Sequence, residues 1–243
     1  SIFINFFNMF FIIIVGKIES INFFNMHQNV NNLVLIQDLI KDKSKKDELP
    51  TIIAVSKKFK ISEILPLLNY GHKDFGENQV QEALEKWIDI KNNFKSIKLH
   101  MIGKLQTNKV KSAVKLFDYI HSVDNLKLAE KIANEQVKIN KNIKIFIQIN
   151  IGKEDQKSGI DIENLNSFYT KCKNDFNLNV VGLMCLPPLN LNSDNYFIKM
   201  KKLANNLNLK ELSMGMSNDF ETALNCGSTY IRVGSKIFGK RIS

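Results

Sequence analysis

The chain has 243 residues, of which 44% are hydrophobic and 24% are charged. These proportions are typical of a globular protein whose hydrophobic core is large enough to be stable without disulfides or a structural metal. An excess of 34 Lys and Arg over 24 Asp and Glu gives a formal net charge of +10, but the basic residues form no stripe or module that predicts nucleic-acid binding. The three cysteines are widely spaced and the four histidines show no ligand spacing, so we expect neither disulfides nor a metal site.

The first 25 residues form an apolar segment of uncertain status. Its apolar run is shorter than the roughly 20 residues of a membrane span, and Asn5 and Asn8 interrupt it. It also lacks a basic start and a small-residue cleavage site. We therefore predict that this segment is an extension, or that the gene start is wrongly assigned and the real protein begins near Met9 or Met26. We favour this over a signal or organellar leader, and we expect no membrane association. We expect a cytoplasmic protein.

From about residue 50 the pattern alternates short β-branched runs with amphipathic stretches, which is typical of the α/β class. A helix from Met26 to about Lys41 precedes this region. Eight strand candidates without polar alternation predict a single closed (β/α)8 TIM barrel, one domain spanning residues 26–243. The candidates are TIIAVS, HKDF, KLHMI, FDYIHS, IKIFIQIN, NVVGLM, KELSM and TYIRV.

Lys57 follows the first predicted strand, at the end of a barrel where ligands bind. Ile53, Val55 and Lys57 share one face by the two-residue period of a strand. If Ile53 and Val55 point into the barrel, the amine of Lys57 does too. A lysine with a buried stem near other cations has a depressed pKa and reacts with aldehydes. By itself, a lysine in so lysine-rich a chain is more often solvated.

A loop that contains a glycine and a serine follows each of the last two predicted strands. Gly215 and Ser217 follow the seventh strand, and Gly234 and Ser235 follow the eighth. Glycine lets backbone amides approach a ligand, serine adds a donor, and a helix that begins there points its positive end at the same place. Phosphate commonly lies at these two loops of a barrel. The sequence therefore predicts a phosphate site beside Lys57.

Arg232 lies on the eighth predicted strand, two residues before Gly234. A charge inside an apolar strand needs a buried partner. A phosphate-bearing aldehyde that combines these groups is pyridoxal 5'-phosphate (PLP), whose pyridine nitrogen Arg232 can reach. Arginine keeps that nitrogen unprotonated, which makes the ring a weak electron sink and disfavours carbanion chemistry of the aminotransferase kind.

Structural explanations compete for several of these residues. Asn78 fits the N-cap of the helix after strand two, and Asn218 with Glu221 resembles a capping box. Gly227 is expected to end the preceding helix. Lys157 is expected to be a loop charge, with contact to the phenolic oxygen of PLP as the alternative.

Six segments together resemble the pyridoxal phosphate homeostasis protein family over residues 26 to 241. They are AVSK (54–57), FGENQVQE (75–82), HMIGKLQTNK (100–109), QINIGKEDQKSGI (148–160), GLMCLPP (182–188) and LSMGMSNDFETALNCGSTYIRVGSKIFGKR (212–241). The resemblance implies a barrel like the N-terminal domain of alanine racemase. The roles it implies are a Schiff-base lysine at Lys57, a residue beside the ring at Asn78, a partner of the ring nitrogen at Arg232, and phosphate contacts at Ser217, Gly234 and Ser235.

The resemblance implies a largely non-catalytic protein that holds PLP and delivers it to apo-enzymes, maintaining vitamin B6 and amino-acid balance. An amino-acid racemase is the alternative; it would need a second proton-transfer group on the opposite face of the ring, which in alanine racemase comes from a separate C-terminal domain. A Schiff-base aldolase would share the barrel and a lysine but leave Arg232 without a clear role. No heptad seam is visible, so we expect a monomer.

Overall fold

The computed structural model describes residues 26–43, 49–154, 158–188 and 193–240. Eight parallel strands form a closed barrel in which each strand pairs with the next and the last pairs with the first. The strands are β1 (Thr51–Val55), β2 (Asp74–Glu77), β3 (Lys98–Met101), β4 (Tyr119–Val123), β5 (Lys144–Ile149), β6 (Asn179–Cys185), β7 (Glu211–Met216) and β8 (Tyr230–Val233). The predicted (β/α)8 barrel is confirmed.

Helices cover the outside of the barrel. They are α1 (Gln28–Lys43), α2 (Ile61–Tyr70), α3 (Val80–Asn93), α4 (Val110–Leu116), α5 (Leu126–Lys138), α6 (Leu165–Thr170), α7 (Asp194–Asn206), α8 (Phe220–Asn225) and α9 (Ser235–Phe238). The predicted helix before the barrel is confirmed as α1. Its Asn29 and Asn32 donate side-chain hydrogen bonds of 2.8 Å to main-chain carbonyls of α2 and α9. These bonds tie α1 to the helices that follow β1 and β8.

The second strand lies further along the chain than the sequence suggested. The HKDF segment ends at Phe75, whereas β2 continues through Gly76 and Glu77. Glycine and glutamate have low strand propensity, but Glu77 is fully buried and pairs with Met101 of β3. The neighbouring strand therefore extends β2 beyond what local propensity predicts.

Alternation along β2 separates the barrel interior from its outer layer. Phe75 packs on Trp87 of α3, with ring centroids 4.9 Å apart, so it faces outward. Its neighbours Asp74 and Gly76 therefore face inward. A Cβ added to Gly76 would lie 2.8 Å from Cγ2 of Ile53, which places Ile53 in the interior as well.

Three predictions fall outside the described residues: the extension at 1–25, the role of Lys157, and the end of the last motif at 241. Within the described ranges, no helix has both the length and the apolar character needed to cross a membrane.

Candidate functional site

Lys57 lies two residues beyond the end of β1, in a turn rather than on the strand, and its side chain is half-buried. The turn stays close to the barrel, because the Ser56 N–H donates to the Gly76 carbonyl at 3.0 Å. Ser56 is fully buried, whereas Lys58 is exposed and has a φ of +65°. The chain therefore turns sharply at Lys57 while remaining against β2.

A buried ion pair on α3 and β2 holds this turn. Lys86 of α3 donates to the Ser56 carbonyl at 2.8 Å and to Oε1 of the fully buried Glu77 at 2.9 Å. The same Glu77 oxygen accepts the Ser56 hydroxyl at 2.7 Å. Glu82 accepts both Lys86 and the Lys58 N–H. Partial burial opposes ionisation of Glu82, but these two bonds lower its pKa overall.

Arg232 lies opposite Ile53 in the register of β8 with β1, so its side chain enters the barrel interior. It is 4% exposed. Its Nη1 donates to the Ser213 hydroxyl at 2.7 Å and its Nη2 to the Cys185 carbonyl at 2.9 Å. Arg232 therefore has the buried hydrogen-bond partners that a charged residue within an apolar strand needs. Both are neutral, and burial lowers the pKa of the guanidinium.

The two predicted phosphate loops meet at the carboxyl ends of β7 and β8. The Gly234 N–H donates to the Ser217 hydroxyl at 3.3 Å, and Ser217 is buried. Gly215 has a φ of +91°, and a Cβ there would lie 2.6 Å from Cβ of Ala223. The first loop therefore needs glycine to turn and to let α8 pack against it.

The second loop lies beside the end of β1, as a closed barrel requires. A Cβ on Gly234 would lie 3.4 Å from Cβ of Val55, two residues before Lys57. Ser235 is exposed and begins α9, in which the amides of Ile237 and Phe238 donate to the Gly234 carbonyl, so only the amides of Ser235 and Lys236 are at the open start of the helix. A cavity of about 300 Å³ opens beside this turn. Its lining residues are Phe59, Ser235, Gly239 and Lys240.

Asn78 lies between β2 and α3 and is half-buried. The N-cap of α3 is Gln79, which makes no side-chain capping bond, so the prediction that Asn78 caps this helix is wrong. Gly103 lies against Asn78, and a Cβ on Gly103 would be 2.3 Å from the Asn78 carbonyl oxygen. The backbone at Asn78 is therefore held at the carboxyl end of the barrel by the loop after β3.

The capping box predicted at Asn218 is also wrong. Asp219 is the N-cap of α8, and its carboxylate accepts the Met216 N–H at 2.7 Å. That bond closes the turn before the helix instead of capping its first amides. Gly227 has a φ of +89°, and its N–H donates to the Leu224 carbonyl, as expected of the residue that ends α8.

Sequence reasoning missed a polar chain inside the barrel that begins at Arg232. Its further members are Ser213, His121, His100 and Asp74. The histidines were considered only as metal ligands, and the described residues contain no group of three His, Cys, Asp or Glu side chains that could hold a metal ion. The available signal was the one that drew attention to Arg232: a polar residue within an apolar strand.

The chain is similar to known proteins over most of its length. Residues 30–241 match the family model described as alanine racemase, N-terminal domain. The pyridoxal phosphate homeostasis protein of Haemophilus influenzae is 37% identical over 226 residues, covering 87% of this chain and 95% of that protein. The protein of the same name from Aquifex aeolicus is 37% identical over 199 residues, covering 78% and 86%.

Solved structures show the same likeness. PipY of Synechococcus elongatus PCC7942 with PLP bound is 32% identical, has a TM-score of 0.78, and is matched over 87% of this chain and 100% of its own. Alanine racemase of Clostridium difficile 630 is 15% identical with a TM-score of 0.64, over 88% of this chain and 56% of its own. The racemase likeness shows the fold alone.

Proposed function

The chain belongs to the family of pyridoxal phosphate homeostasis proteins, and on this premise we propose that it binds PLP through Lys57. In this proposal the protein maintains intracellular PLP and delivers it to apo-enzymes without turnover of its own. The observation that carries the proposal is the convergence of three distant segments: the turn after β1, the linked loops after β7 and β8, and the buried Arg232.

The chemistry of the donor set fits the cofactor. When bound, PLP supplies an aldehyde that combines reversibly with a primary amine, together with a phosphate and a pyridine nitrogen. Lys57 offers the amine. The loops offer hydroxyl groups and backbone amides, which bind phosphate, and Arg232 offers a guanidinium, which can only donate.

Ser217 is suited to bind the phosphate because its oxygen already accepts a hydrogen bond from Gly234. Its own hydroxyl hydrogen is therefore directed elsewhere and can be donated to the anion. Ser235 adds a second hydroxyl at the exposed start of α9. Together with the first amides of that helix, these groups form the proposed phosphate site.

Arg232 is suited to meet the ring nitrogen. A guanidinium has five N–H groups, and the bonds to Ser213 and Cys185 use two of them, which leaves three for a ligand. A permanently charged donor at this position keeps a proton off the ring nitrogen, which weakens the ring as an electron sink. Arg232 therefore favours storage over carbanion chemistry. Asn78 is proposed to lie beside the ring.

Absorbance and mass mapping test the proposal together. Purified protein mixed with PLP should show the band of lysine-bound cofactor, and borohydride should trap the adduct on Lys57. Lys57→Ala should abolish both, whereas the adjacent exposed Lys58→Ala should retain them. An adduct mapped to another lysine would contradict the assigned site. Racemisation of an amino-acid panel that is lost in Lys57→Ala would contradict the non-catalytic proposal.

A further inference from the structure

Four consecutive contacts link Arg232 to Asp74 through the barrel interior. Arg232 Nη1 is 2.7 Å from Ser213 Oγ, and Ser213 Oγ is 2.9 Å from His121 Nδ1. His121 Nε2 is 3.0 Å from His100 Nδ1, and His100 Nε2 is 3.0 Å from Asp74 Oδ1. We call these five residues the polar chain.

The polar chain runs from the cofactor end of the barrel toward its opposite end. Asp74 is the first residue of β2, so it lies near the amino ends of the strands, and its side chain is 18% exposed. Ser213, His100 and His121 have no exposed surface. Buried polar groups without partners are costly, so a buried series that bonds at every step rigidifies its members.

Burial lowers the pKa of both imidazoles. With both uncharged, the two ends of the polar chain set the direction of every hydrogen bond. Arg232 can only donate, so the Ser213 oxygen accepts from it and directs its own hydrogen to Nδ1 of His121. His121 then carries its hydrogen on Nε2 and donates to Nδ1 of His100. His100 in turn donates from Nε2 to the carboxylate of Asp74, which can only accept. Both imidazoles are uncharged in this arrangement.

A proton added to either imidazole would disrupt this order. If His100 gained a proton, its Nδ1–H would face the Nε2–H of His121 at a contact of 3.0 Å. Burial lowers the pKa of both histidines, and for His121 the charges of His100 and Arg232 lower it further. The titratable and charged groups facing the two rings are His72, Asp74, Asp118, Lys98, Tyr119, Tyr230 and Arg232.

Stacking holds the two imidazole rings in the orientation that these bonds need. His100 stacks on Tyr119 with centroids 4.2 Å apart and an interplanar angle of 16°. His121 stacks on Phe146 with centroids 4.2 Å apart and an angle of 15°. Turning either ring out of its plane would lose both its stacking and its hydrogen bonds, and a 180° flip within the plane would lose the hydrogen bonds.

We propose that His121, His100 and Asp74 are positioning residues for Arg232. They direct the Ser213 hydroxyl hydrogen away from the guanidinium, so that a lone pair of Ser213 fixes which edge of Arg232 faces the ring nitrogen of the ligand. The inference rests on the proposed function, because it assigns the polar chain a role in holding PLP.

The first test uses the protein without cofactor. Nitrogen-15 NMR of the imidazoles at pH 7 should show both His100 and His121 neutral, with hydrogen on Nε2. A charged His121, or hydrogen on its Nδ1, would overturn the proposed direction. This measurement is independent of PLP, so it tests the polar chain even if the proposed function fails.

The second test measures PLP dissociation constants, the absorbance band against pH, and the unfolding temperature without cofactor. His121→Phe keeps a ring against Phe146 but loses both nitrogens, and should weaken binding about tenfold and shift the band. Asp74→Ala should weaken binding about threefold, and Asp74→Asn, which keeps an accepting oxygen, should recover most of that loss. The matched control is His72→Phe, because His72 bonds the Asp74 main chain at 2.9 Å and packs edge-on against Phe75, but donates to no side chain of the polar chain.

The outcomes separate the two hypotheses. Wild-type protein without a cofactor band or adduct would contradict the proposed function. Wild-type protein that binds PLP, with His121→Phe and Asp74→Ala binding equally well and showing the same band, would overturn the positioning role. A lower unfolding temperature with unchanged binding and spectrum would mean that the polar chain serves only stability, which also overturns it. If His121→Phe does not fold, the two Asp74 variants and the NMR result decide.

Discussion

The Gly234 N–H donates to the Ser217 hydroxyl at 3.3 Å, which joins the loops after β8 and β7 although the two residues are 17 positions apart in the sequence. The bond leaves the hydroxyl hydrogen of Ser217 available to a ligand. It also makes the two loops one continuous surface, so under our proposal a change in either loop should affect the same phosphate group.

Ser217→Ala should raise the dissociation constant for PLP about tenfold, because it removes a hydrogen bond to a charged group and the link between the loops. The neighbouring Asn218→Ala is the control, since Asn218 is exposed and makes neither contact in our assignment. Titration of both variants with PLP measures the difference. Equal affinities would place the phosphate elsewhere.

Gly215→Ala should destabilise the fold more than Gly71→Ala. Both glycines have a positive φ, +91° and +95°, so alanine is strained by about 1 kcal/mol at each. A Cβ at Gly215 would also lie 2.6 Å from Cβ of Ala223 and 2.9 Å from Cα of Phe220, whereas nothing lies within 4 Å at Gly71. Overpacking adds about 1–3 kcal/mol. Urea unfolding of both variants measures the excess, and equal losses would contradict the packing argument.

Part of this site was predictable from the sequence, because its markers are local. Lys57 and the glycines at 215 and 234 each follow an apolar run, and the rule that barrel ligands bind at carboxyl strand ends places them together. Arg232 was noticeable as a charge within an apolar strand. The barrel itself followed from eight such runs.

The polar chain and the caps were not predictable in the same way. His100 and His121 meet because β3 pairs with β4, and Ser213 reaches His121 across the barrel interior, contacts that depend on register and closure. The N-cap of α8 is Asp219, one residue after the predicted Asn218, and the Asp219 carboxylate accepts a hydrogen bond from the preceding Met216 N–H. Such hydrogen bonds are decided by tertiary geometry, which residue order alone does not contain.

Lys86→Met should destabilise the protein by about 3–5 kcal/mol, because it leaves the buried carboxylate of Glu77 without its cation. It should also loosen the turn that carries Lys57 and weaken PLP binding. The double variant Lys86→Met with Glu77→Gln removes the uncompensated charge and should recover part of the stability but not the affinity. Denaturant titration and PLP titration measure the two effects, and full recovery of affinity would contradict a role in holding the turn.

Stability should fall as the pH drops below about 6.5. Burial lowers the pKa of His72, His100 and His121 from 6.5, so the unfolded chain takes up protons that the folded protein does not. Their contribution is complete above pH 6.5 and is lost as the pH falls below it, at up to about 1.4 kcal/mol per pH unit and histidine. Urea unfolding from pH 7.5 to 5.5 measures the slope, and His121→Phe should reduce it. A flat profile would mean that these histidines take up protons in the folded protein as readily as in the unfolded chain.

Arg232→Lys and Arg232→Leu separate charge from geometry at the ring nitrogen. Lysine keeps a cation but lacks the planar fork that donates to Ser213, to the Cys185 carbonyl and to a ligand at once, so it should weaken PLP retention and shift the absorbance band. Leucine removes every donor and should weaken retention further, by more than about tenfold relative to wild type. Borohydride trapping on Lys57 should remain possible in both, because the amine is untouched. Unchanged spectra in both variants would show that Arg232 does not face the ring.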